Sequence, residues 1–183
     1  MSEKDPTLTR NVLELVTISS EFCNLLESCS SLNKADLLKS LQSFIPLLYL
    51  RGTLIHDIQP TDPESAERFV TEEQWEIIFL ALRKILGNDD EFFMLENQME
   101  NSEGIKLSIA ENLSDAYQDI KDFVTLYRKN SLSSRENAIH DIKHLFETNW
   151  GNKLSNLLPI IHSLNSKTIV ESTSDSNLFD LDD

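Results

Sequence analysis

The sequence holds little glycine, little cysteine and no long apolar run. Its 183 residues include only 4 Gly and 2 Cys. The common phosphate-loop patterns, G-x-G-x-x-G and G-x-x-x-x-G-K-[ST], are both missing. Cys23 and Cys29 make no disulfide framework and are predicted to be reduced thiols that pack like small apolar side chains. No segment approaches the roughly 20 apolar residues of a membrane span, and the polar start lacks the apolar stretch of a signal peptide. We therefore expect a cytoplasmic protein.

Basic residues are also in short supply. The chain has 16 Lys and Arg against 31 Asp and Glu, a net charge of −15. A negative protein repels a phosphate backbone, so direct binding to nucleic acid is not expected. The charge is uneven: residues 57–122 carry −12, residues 166–183 carry −4, residues 1–56 carry −1 and residues 123–165 carry +2. This field would attract a basic protein partner. A solvated surface that maintains solubility is the more ordinary account of such charge.

What the chain does have is apolar residues at helical spacing along most of its length. Asn33 is placed to cap one helix, and Thr71 with Gln74 forms a capping box for another. Ser133 with Glu136 offers a second box. No strand is predicted, and residues 88–104 are interpreted as a short helix that lays its aromatic side chains on the core.

The sequence thus predicts an all-α fold: a single bundle-like domain of five to six helices over residues 5–165. Residues 166–183 are small, polar and acidic, which predicts a flexible, disordered acidic tail. Residues 52–70 contain two prolines and predict either a functional loop or a spacer. The predicted core includes Trp75, Phe79, Leu82, Leu113, Tyr117, Ile120, Val124, Ile142 and Phe146.

The first candidate site is an acidic stripe on the helix predicted over about residues 106–129. Its members repeat every three or four residues and are Glu111, Asp115, Asp119 and Asp122. The stripe lies opposite the predicted core face, so we expect it to be exposed and to contact a partner. Together with Glu73 and Glu76 it offers an alternative, a Mg²⁺ site of the kind that carboxylates form in hydrolases.

A second candidate lies on the following helix, where Glu136, His140 and His144 recur every four residues. This spacing places two imidazoles and a carboxylate on one face, as a divalent metal requires. The glutamate that follows the first His in zinc proteases is missing, so a protease is not predicted. A charged outer face that points to solvent is the interpretation favoured over a metal site.

The end of the chain offers a third candidate. Residues 177–183 alternate apolar and acidic side chains, and Leu178, Phe179 and Leu181 could dock in an apolar groove with a basic rim. An acidic terminus that only aids solubility is the alternative.

Three stretches together resemble a known family. They are Thr71-x-x-Gln74-Trp75, then Leu107-Ser108 with Asn112-Leu113-Ser114-Asp115-x-Tyr117-x-Asp119-Ile120-Lys121-Asp122, and Asn149-Trp150-Gly151. In order and rough spacing they resemble the Bacteroidetes-type bacterial family called domain of unknown function 5063, over about residues 10–164. The resemblance implies an all-helical fold and no established activity. Its motif maps onto Asp115, Tyr117, Asp119 and Lys121. Many relatives carry His where this chain has Asn149, which puts any chemical role of that His in doubt here.

No catalytic residue and no cofactor is predicted from these observations. The favoured interpretation is a non-enzymatic interaction or adaptor module that presents an acidic surface to a basic partner. The alternative is a divalent-metal-dependent hydrolase that uses the carboxylates of the helix predicted over about residues 106–129 or the stripe of His140 and His144.

Overall fold

The computed structural model describes residues 5–94, 104–129 and 131–176, the last nine of them by backbone alone. Over these residues the chain forms six α-helices and one short hairpin. The elements are α1 (Arg10–Glu27), α2 (Lys34–Leu54), α3 (Glu72–Leu86), β1 (Glu91–Met94), β2 (Ile105–Ser108), α4 (Ile109–Tyr127), α5 (Leu132–Thr148) and α6 (Trp150–Ser176). The predicted all-α class is confirmed. None of the described helices is long and apolar enough to cross a membrane.

Local capping chemistry decides where several helices begin. The Asn33 side chain accepts a hydrogen bond from the Asp36 N–H at the start of α2. At the start of α3, Thr71 and Gln74 form both bonds of the predicted capping box. The box predicted at Ser133 is wrong, because α5 begins earlier. Ser131 caps it instead and accepts a bond from the Ser134 N–H at 3.0 Å.

The hairpin corrects the prediction of a helix within residues 88–104. β1 and β2 pair antiparallel, with Phe92 opposite Leu107. Phe92 is buried whereas Phe93 is 71% exposed, the alternation of a strand with one covered face. A run as short as Phe92-Phe93-Met94 carries no period that separates the two structures. Residues 95–103 lie outside the described part of the chain.

Helix α4 lies at the centre of the bundle and packs against α1, α3, α5 and α6. Of the predicted core, six side chains are buried, and Trp75, Phe79 and Phe146 are partly buried against it. Prediction missed Trp150, which is fully buried and donates from Nε1 to the Ile142 carbonyl at 3.1 Å. The domain boundaries at residues 5–165 and 166–183 stay a prediction, and the α6 backbone continues as helix to Ser176.

A sharp corner joins α5 to α6. Asn149 leaves the helical conformation at φ −140° and ψ −87°, and α6 begins at the next residue. A Cβ atom on Gly151 would lie 2.2 Å from the backbone oxygen of Phe146. Only glycine therefore allows the two chain segments to approach this closely.

Candidate functional site

Asp122 on α4 holds the connecting segment, residues 55–71, against the bundle. Its Oδ1 atom accepts hydrogen bonds from the backbone N–H groups of Phe69 and Val70, at 2.7 and 2.9 Å. Its Oδ2 atom lies 3.4 Å from a guanidinium nitrogen of Arg68. The Asp122 side chain is only 4% exposed. The carboxylate therefore replaces water as the acceptor for these N–H groups.

Asp119, one helical turn earlier, is buried as well. The whole residue is 7% exposed, and its Oδ2 atom accepts a hydrogen bond from Nδ2 of Asn149 at 2.7 Å. Arg68 approaches Oδ1 to 3.9 Å. Burial disfavours the charged form and raises the pKa of Asp119 to about 6, against the opposing influence of Asn149 and Arg68.

Asp115 joins three helices. Its Oδ1 atom accepts a hydrogen bond from the indole Nε1 of Trp75 at 2.9 Å, and its Oδ2 atom pairs with the ammonium group of Lys153. Glu111 is exposed. The predicted exposure of the acidic stripe therefore holds for Glu111 and is wrong for Asp119 and Asp122. A contact between this stripe and a partner stays a prediction.

The motif that carries the family resemblance is engaged inside the fold. Tyr117 is buried, and its hydroxyl donates to Oε1 of Glu27 at 3.0 Å. The ammonium group of Lys121 lies 2.5 Å from the same carboxylate oxygen. With Asp115 and Asp119, all four motif positions thus tie α4 to its neighbours.

The predicted metal ligands on α5 do not converge. Glu136 is buried, and its Oε2 atom accepts bonds from the backbone N–H and the hydroxyl of Thr61, at 2.9 and 2.7 Å. Nδ1 of His140 lies 2.8 Å from Oδ1 of Asp57, and His144 is exposed. In the part of the chain that the structure describes, no group of three or more His, Cys, Asp and Glu is placed to hold a metal ion.

The connecting segment is therefore tied down at several points along α4 and α5. Besides Asp122 and Glu136, Asn137 donates from Nδ2 to the Asp62 carbonyl at 2.7 Å. Hydrogen bonding to His140 lowers the pKa of Asp57. The alternative of a loose spacer does not fit these contacts, because Asp122, Glu136 and Asn137 each bind backbone atoms of the segment.

The two cysteines are buried free thiols, as predicted. Burial raises the pKa of Cys23 to about 12, and burial also raises that of Cys29. A nucleophilic cysteine needs a lowered pKa and access to solvent, so neither thiol is suited to covalent chemistry.

An exposed face of α3 stands apart from these internal contacts. Ile77 and Leu80 are 60% and 54% exposed, and Glu73 and Glu76 are exposed beside them. These four side chains share one face, because they lie three, four and seven residues apart on a helix. Leu178, Phe179 and Leu181, the other predicted contacts, lie outside the described residues.

Comparison with known proteins now supplies the family. The model of a domain of unknown function, DUF5063, matches residues 6–167. The chain belongs to this family. The crystal structure of protein BF1032 from Bacteroides fragilis is similar, with a TM-score of 0.78 and 31% sequence identity over 87% of this chain and 94% of that one. No curated protein matches the chain. This DUF5063 protein thus shares its fold with a structural relative, and the predicted family is confirmed.

Proposed function

We propose that this DUF5063 protein is a cytoplasmic, non-enzymatic interaction module that binds a basic, partly apolar protein segment on the outer face of α3. The observation that carries the proposal is the exposed pair Ile77 and Leu80. Single exposed aliphatic side chains are ordinary. Two adjacent ones with acids at their edge have the composition of a small interface, an apolar centre with a polar rim.

The acids beside this pair determine the charge of the partner. Glu72 and Glu73 lie in the first turn of α3, where the helix dipole already favours negative charge. Glu76 lies beyond that turn, is exposed and adjoins Ile77. Because Asp115, Asp119 and Asp122 are engaged by neighbours, the exposed acids of α3 are better placed to attract Lys and Arg side chains of a partner.

The test is affinity capture from the source cells with the full chain as bait. The wild type is compared with Glu73→Lys/Glu76→Lys, and both baits are washed at low and high salt. The control is Glu64→Lys/Glu147→Lys, which makes the same change in net charge at exposed positions on other elements. A third bait carries Ile77→Ser.

We expect a partner whose capture falls with salt, falls in the α3 charge variant and in Ile77→Ser, and survives in the control. Exposed charges contribute mainly to the rate of association, and salt screens them. The difference in capture between the wild type and the α3 charge variant should therefore be smaller at high salt. Equal loss in the control would mean that net charge alone attracts the partner, and would contradict a docking site on α3. A fourth bait carries Phe179→Ala, and loss of capture in that bait alone would assign binding to the chain terminus and contradict the site on α3.

A further inference from the structure

The outer side of α2 is apolar although the helix also buries its inner side. Its inner face contributes Leu38, Leu41, Ile45 and Leu48 to the core. Its outer face exposes Leu47, Leu50 and Leu54, each between 42% and 50%. These three lie three and seven residues apart and therefore form one ridge. A helix that is apolar on both sides is normally covered on both.

Two hollows flank this ridge. The groove between α1 and α2 has a volume of about 600 Å³, and its apolar walls are Leu8, Leu13, Ile18 and Leu47. On the α6 side, Tyr49, Leu50 and Leu158 line a hollow of about 460 Å³. A ridge beside grooves is the shape that lets one helix pack against another.

We propose that this face, residues Leu8, Leu13, Leu47, Tyr49, Leu50 and Leu54, is the interface of a symmetric homodimer. In a two-fold arrangement the same patch meets itself, so each copy must supply both the projection and the recess. The α2 ridge and its flanking grooves meet that condition. The ridge of one copy then fills the groove of the other, and the leucines of both copies become buried from solvent.

The size of the face agrees with a dimer contact. Six large side chains that are 42–50% exposed present on the order of 500 Å² of apolar surface, near the upper end for the largest patch of a monomer. With the groove walls and a polar rim, this approaches the roughly 800 Å² per partner of a specific interface.

The distribution of charge favours a second copy over a basic partner at this face. Two molecules of charge −15 repel each other, and −12 of that charge belongs to residues 57–122. Residues 1–56, which supply most of this face, carry only −1. The α1–α2 groove is rimmed by two arginines and two glutamates, Arg10, Arg51, Glu14 and Glu21. Such a balanced rim is complementary to itself, and like-charge repulsion is smallest where two such faces meet.

Sedimentation velocity of the full chain across a wide range of concentration tests the proposal. The variants are Leu50→Glu and, as a second change at the ridge, Leu47→Gln. The control is Leu132→Glu, which places the same carboxylate at a similarly exposed leucine on α5. Circular dichroism melting establishes that each variant is folded, and all three positions are exposed enough to accept a polar side chain.

We expect a dimer for the wild type and for Leu132→Glu. In Leu50→Glu the dimer dissociation constant should rise on the order of a hundredfold, because the interface would bury two unpaired carboxylates, one from each copy. Leu47→Gln should weaken the dimer less. A wild type that stays monomeric at every concentration would overturn the proposal, as would a dimer that persists unchanged in both α2 variants. A monomer whose α2 amides lose exchange protection in a Phe179→Glu variant would instead show that the chain's own terminus covers the face.

Discussion

Replacing Asp122 by alanine tests the central role assigned to the buried acids of α4. The Asp122 carboxylate accepts the N–H groups of Phe69 and Val70, which stand more than 50 residues earlier in the chain. Alanine leaves both donors without an acceptor beneath the connecting segment. A buried donor without a partner costs about 1–3 kcal/mol, so the two together should cost about 3–4 kcal/mol. The lost ion pair adds little, because the Arg68 side chain is 53% exposed.

Asparagine at the same position is the matched comparison. Its Oδ1 atom can still accept both N–H groups, so only the charge assistance is lost, at about 1 kcal/mol. Glu111→Ala, on the same helix but at an exposed position, should change stability by less than about 0.5 kcal/mol. The three variants therefore separate acceptor geometry from charge and from helix propensity.

Urea unfolding at neutral pH measures the free energies, and amide hydrogen exchange locates the effect. In Asp122→Ala the amides of Phe69 and Val70 should lose protection first, and the rest of the connecting segment should follow. A loss below about 1 kcal/mol, or unchanged protection at residues 69 and 70, would refute the reasoning. The segment would then be held by its other contacts with α4 and α5.

Two further predictions address burial and close packing. Burial raises the pKa of Asp119 in the folded protein to about 6, from 3.8. The protonated side chain therefore stabilises the fold fully below the pKa of the unfolded chain, and this stability is lost as the pH rises through the pKa of the folded protein. Asp119→Asn should therefore stabilise the protein at neutral pH by about 2–3 kcal/mol and remove this pH dependence. Unfolding curves of the wild type and the variant, recorded between these two pH values, measure the effect. If the difference in free energy of unfolding between the two proteins did not change across that range, the raised pKa would be contradicted. Gly151→Ala forces a Cβ to within 2.2 Å of the Phe146 backbone oxygen and should cost about 3 kcal/mol or more, so a melting temperature equal to wild type would contradict the close approach.

Local sequence signals predicted the helices well, because their causes lie within a few residues. The capping bonds of Asn33 and of Thr71 with Gln74 join neighbours three positions apart. The spacing of apolar residues likewise placed Leu82, Leu113, Ile120 and Ile142 in the core, where the structure has them. The hairpin was not predicted, because a strand of four residues is too short to show a period. Its two strands also pair residues far apart in the chain, such as Glu91 with Ser108.

The candidate sites were predicted less well, because periodicity identifies one buried face and says nothing about what covers the others. α4 is central, so its supposed outer stripe meets α3, α5, α6 and the connecting segment, and Asp119 and Asp122 are buried. Glu136 is buried for a similar reason, since Thr61 is brought against it from 75 residues away.

Sequence alone was therefore sufficient for the helical class, two of the three predicted caps, most of the core and the uneven charge, all of which follow from residue type and short-range spacing. It could not say which acids are tied within the fold and which face solvent. That depends on long-range packing, because a carboxylate is satisfied by whatever donor the tertiary fold brings to it. The same packing leaves the ridge of α2 and the face of α3 uncovered, and so determines where this DUF5063 protein has surface available for binding.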